Sequence, residues 1–133
     1  MADMSDYLEV KLLNLTLNGT AYAGMNNPYV SLHTADPTDA GTGTEVSGTG
    51  YARVQANFAT ATGTDASETT ASDTTWAAAG SGGWGTVGFI GLWDSAIGGT
   101  NNMIYHTALD AAKTIDEGDV FKITSTNLTV ALA

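Results

Sequence analysis

The chain has no cysteine. That removes a disulfide framework, a thiolate nucleophile and any thiolate metal site. Cations are nearly as scarce: 4 Lys and Arg stand against 14 Asp and Glu over 133 residues, a formal net charge of −10. The four, Lys11, Arg53, Lys113 and Lys122, are scattered. Phosphate backbones are held by clustered cations, so the expectation is no direct nucleic-acid partner. Anionic membrane surfaces are disfavoured on the same ground. No apolar run reaches the roughly 18 residues that span a bilayer. The acidic start Met-Ala-Asp-Met-Ser-Asp-Tyr lacks the basic and apolar parts of a signal peptide, which predicts synthesis in the cytoplasm.

Gly, Ala, Thr, Ser, Asp and Asn dominate what is there, and only 14% of residues are charged. Frequent Gly and Thr between short apolar bursts point to an all-β domain with many turns. The most informative stretch is Gly85 to Leu109, where two apolar arms flank a turn cluster and predict a long β-hairpin. Gly85, Gly88 and Gly91 interrupt its first arm, and strand glycines mark bulges or close approach of another backbone. Asp94 is placed to bond turn amides, and Gly98-Gly99 tolerates positive φ.

One helix is expected, over Ser5 to Leu17. Asp6 is its cap and Glu9 stands in the capping-box position. Leu8, Leu12 and Leu15 form one row with Leu13 and Leu17 beside it, and Asn18-Gly19 is the stop. Tyr29 to His33 reads as a strand, Asp36 to Gly50 as an exposed loop, and Tyr51 to Phe58 as a second strand. Such a loop, long and without structure of its own, is usually functional. The small polar tract from Ala59 to Ala79 predicts a turn near Gly63 to Asp65 and an exposed, poorly gripped strand over Thr69 to Ala77. Short strands follow at Lys113 to Ile115, Val120 to Ile123 and Leu128 to Leu132, with a turn at Asp116 to Asp119. The sum is a single domain, residues 1–133. It is an antiparallel, jelly-roll-like β-sandwich of about seven or eight strands with one N-terminal α-helix. A closed or partly closed barrel is the competing arrangement.

The sequence offers little chemistry. His33 and His106 are the only histidines and both fall in predicted strands, where a structural role outweighs a zinc site. No Gly-x-Ser-x-Gly elbow is present. Gly80 to Gly85 is glycine-rich without the Lys-Ser or Lys-Thr of a phosphate loop. Asp116-Glu-Gly-Asp119 lacks the spaced ligands of a calcium loop. No catalytic, cofactor or metal residue is assigned. Aromatic side chains such as Trp76, Trp84 and Trp93 read as core or interface anchors.

Several segments together carry a resemblance. They are Leu8 to Leu13 with Gly19 to Tyr22, Tyr29 to Pro37, and Gly41 to Gly48 with Gly50 to Arg53. In the same order come Trp84 to Val87, Gly91 to Asp94, Ala112 to Ile115, Glu117 to Asp119 and Leu128 to Val130. The combination covers nearly the whole chain and resembles small structural proteins of tailed bacteriophages. The resemblance implies a non-enzymatic virion protein without a cofactor. The first reading is a capsid cement protein on the outer surface of the head. It would bind the major capsid protein and itself, as a trimer. The alternative is a tail fibre or baseplate adaptor. A third reading is a carbohydrate-binding module stacking sugars on Trp84 and Trp76. The 5–17 helix and the 36–50 loop are expected to make most intersubunit contacts. The residues singled out for them are Tyr7, Leu8, Lys11, Asp36, Pro37, Thr42, Glu45, Tyr51, Arg53 and Trp84.

Overall fold

In the computed structural model of the chain, residues 2–61, 66–97, 99 and 101–132 are described. The predicted turn at Gly63 to Asp65 and the role of Gly98 lie outside them. The predicted hairpin is the spine of the domain. β6 (Gly85–Trp93) and β7 (Met103–Ile115) run antiparallel, flanked by β1 (Asp3–Met4), β2 (Tyr29–His33) and β3 (Val54–Gln55) in the order β1-β7-β6-β2-β3. Two small ribbons complete the β structure: β4 (Ser67–Thr69) with β9 (Thr129–Ala131), and β5 (Thr74–Thr75) with β8 (Lys122–Ile123).

Residues paired across strands share a face of the sheet. Val30, Leu92 and Tyr105 lie side by side on one face, with Leu32, Ile90 and Thr107 beside them. That apolar face enters a core completed by Trp76 and Leu128, which belong to the ribbon side of the domain. The result is the sandwich-like, all-β arrangement that the composition predicts. The opposite face carries Ser31, Gly91 and His106 in register, with His33 beside Phe89.

Several local expectations change. The separate strand expected at Lys113 to Ile115 is the end of β7, reached through register shifts on either side of Gly88 and beside Trp93. Gly91 is required by side chains rather than by a neighbouring backbone: a Cβ there would stand 2.8 Å from the Trp93 indole nitrogen and 2.9 Å from Ser31 Oγ. The tract expected to be poorly gripped is well held, because Thr70, Thr74 and Trp76 are all buried. Regular pairing there is confined to a few residues, and the small polar residues between them mask the buried positions.

The helix α1 (Asp6–Asn18) is capped by Ser5, one residue before the expected Asp6, and Ser5 Oγ accepts from the Leu8 amide at 3.3 Å. Glu9 therefore falls outside the capping-box position, which Leu8 occupies. Ser5 Oγ also donates to the Met103 carbonyl, tying the helix start to β7. Gly19 ends the helix in the left-handed conformation at φ 63°, as its sequence predicts.

Candidate functional site: a polar cluster that clamps the 34–50 segment

β2 alternates apolar and polar side chains, so burying Val30 and Leu32 in the core sends Ser31 and His33 to the other face. An ordinary half-exposed sheet would leave those two in water. Here they are buried, because the chain beyond His33 turns back over them. Thr34 donates to the Thr44 carbonyl and Val46 to the Leu32 carbonyl, each at 2.9 Å, so residues 44–46 extend the sheet past the short β3. The tip is shaped by Asp36, whose carboxylate accepts from the Thr38 amide, and by Gly43, where a Cβ would meet the Asp36 carbonyl at 2.4 Å. Only glycine fits that crossing.

Arg53 is the centre of the cluster. Its guanidinium grips Glu45 with two bonds, from Nε at 2.8 Å and Nη2 at 2.7 Å. Nη1 donates to the Ser95 carbonyl and to Asn101 Oδ1, joining this segment to the chain beyond β6. The same group lies over the Trp93 ring, 3.9 Å from its centroid. Tyr51 reinforces the pair by donating to Glu45 Oε1 and accepting from the Leu32 amide, both at 2.9 Å. Burial pushes the Tyr51 hydroxyl far above the ordinary phenol range, so it remains a donor. On the far side, His106 Nε2 bonds to Asp39 at 2.9 Å, while the Asp39 carbonyl accepts from the Asp6 amide. One stretch of chain is thus tied to the sheet, to the helix start and to the hairpin loop.

Ser31 and His33 sit 2.7 Å apart, Oγ to Nε2, the contact a hydroxyl nucleophile makes with its base. The Trp93 indole donates to the same Oγ at 2.7 Å, and all three side chains are buried. No substrate reaches the pair, so the geometry is that of a packed polar core. Among the described residues no three His, Asp or Glu side chains converge as a metal site. An open cleft of about 520 Å³ lies elsewhere, against Met25, Phe58, Tyr105, Val130 and Leu132, and Glu68 is the one charged residue among the described residues of its lining.

His33 carries a pH prediction. Burial lowers its pKa from the ordinary 6.5, against the opposing pull of Glu45, with Arg53 and His106 adding to the lowering. The folded protein therefore resists a proton that the unfolded chain accepts. Its contribution to stability is present above pH 6.5 and is lost as pH falls from there through the lowered folded value. Thermal melts from pH 8 to pH 5 are expected to drop less steeply for His33→Gln than for the parent chain. Parallel curves would remove His33 from the account.

The ten residues singled out from the sequence separate into two groups. Leu8, Pro37, Arg53 and Trp84 are buried within the chain. Each is held by its own fold: Trp84, for instance, donates to the Thr49 carbonyl and stands edge-on to Tyr51. Glu45 and Tyr51 are half-buried in the clamp. Tyr7 and Lys11 are half-buried on the helix, and Asp36 and Thr42 are exposed at the tip. Trp84 and Trp76 both lie inside, so neither ring offers a sugar-stacking platform. Ser31, Asp39 and Asn101 belong to the cluster without standing out in the sequence, and Trp93, which reads as a core or interface anchor, joins them. Alternation in β2 placed Ser31 away from the core but carried no sign of the loop that covers it.

Compared with known proteins, residues 3–131 match the model of a family described as podophage GP4 fiber I protein gp80. No curated protein matches the chain.

Proposed function

The chain belongs to the podophage GP4 fiber I protein gp80 family, and from that membership we propose that it is a fibre component of the phage tail. It is a structural protein of a tailed-phage virion. The finer assignment, fibre over head cement, is carried by the family description across nearly the whole chain. The fold agrees with a mechanical part. The segment that would otherwise hang free is fastened to the sheet through Arg53, Glu45 and His106. In this reading load passes through the backbone ladders and the largely buried Arg53–Glu45 pair.

Gold-labelled antibody against this protein, applied to intact particles, is expected to mark the tail appendages. Label spread over the head surface would overturn the fibre reading in favour of cement.

A further inference from the structure

We propose that the outward face of α1 is a seam between copies of this chain. The helix turns Leu8 and, in part, Leu12 towards the domain. Val10, Leu13 and Leu17 follow a three-then-four spacing on its opposite side and remain 55%, 57% and 76% exposed. A helix apolar on both sides is half-finished as a surface helix, since one side of water-facing residues should be polar. The stripe is also presented rigidly, between the Ser5 cap, with its bond to Met103, and the Gly19 stop.

Charge selects the occupant. Copies of a chain with net charge −10 repel one another wherever acidic surface meets acidic surface. From Leu12 to Ala35 the sequence has no Asp, Glu, Lys or Arg. The second half of the helix and the connector after it therefore bring no charge of their own to a contact between copies, and Asp94 is an acidic group within electrostatic reach of the connector, at Tyr22. A strongly charged partner finds no counter-charge there. The spacing of Val10, Leu13 and Leu17 is that of an a-d-a seam of aliphatic side chains, which packs against its own kind. A stripe of three aliphatic side chains is on the order of 300 Å², whereas a stable contact takes about 800 Å² per partner. The seam therefore extends onto the adjoining neutral connector, residues 19–27, most of which is exposed. The inference rests on the helix and the charge map, and it holds wherever in the virion the protein stands.

Light scattering on the full chain across micromolar concentrations is expected to give a multiple of the chain mass. Leu13→Glu with Leu17→Glu should return it to a monomer while the circular-dichroism spectrum and melting temperature hold, since both residues are exposed. Because the chain has no cysteine, Leu13→Cys gives a second readout: oxidation is expected to link copies covalently, whereas Ala111→Cys on β7 is not. A monomeric parent chain would assign the stripe to a different protein and overturn the proposal. So would an assembly whose mass ignores the glutamates, or whose Leu13→Cys form stays unlinked. If the glutamate variant fails to fold, the cysteine result decides.

Discussion

Arg53→Met is expected to lower stability by about 3 kcal/mol, the low end for breaking one side of a buried ion pair. The low end applies because Glu45 keeps 21% of its side chain in water and can partly rehydrate. The loss comes from leaving partners unsatisfied. Glu45 loses two charge-assisted bonds, Asn101 and the Ser95 carbonyl each lose a donor, and Trp93 loses the cation over its ring. For a domain of this size that is roughly a 10 °C fall in melting temperature. Pairing the change with Glu45→Leu should recover part of the loss, because the stranded carboxylate is then gone. A calorimetric scan of the four proteins of this cycle measures the coupling directly. Strictly additive losses would show that the pair is not a unit.

Trp76→Ala is expected to cost about 3–5 kcal/mol, the range for emptying an aromatic site in a packed core. The ring is 2% exposed and meets Phe121 edge-to-face at 5.3 Å between centroids. Its backbone amide donates to the Phe121 carbonyl, so the cavity opens where the ribbon side joins the core. Trp76→Phe should cost much less. It keeps an aromatic edge, and the indole nitrogen has no hydrogen-bond partner to lose among the described residues. Urea unfolding of both variants separates these outcomes. Equal losses would mean the indole makes a bond that the structure does not contain.

Legibility varied with how local the cause was. The hairpin was readable because both arms are long, apolar and separated by turn residues, and the resulting ladder pairs them as expected. The helix was readable to within a residue at its start, where Ser5 and Asp6 are both competent caps. Ser5 won because its hydroxyl also reaches the Met103 carbonyl, a contact 98 residues away in sequence. The Thr-rich tract reads as surface from its composition alone, because burial of Thr70 and Thr74 depends on the strands opposite them.

Helix spacing, strand alternation, the glycine stop and the neutral window from Leu12 to Ala35 are properties of neighbours along the chain, and they could be read without coordinates. Arg53 over Trp93, His106 against Asp39 and Ser31 sealed beneath the returning loop could not. Each joins residues far apart in sequence, and a polar side chain reads the same whether water or a buried partner satisfies it. Which of the two does so is settled only when the chain closes over it.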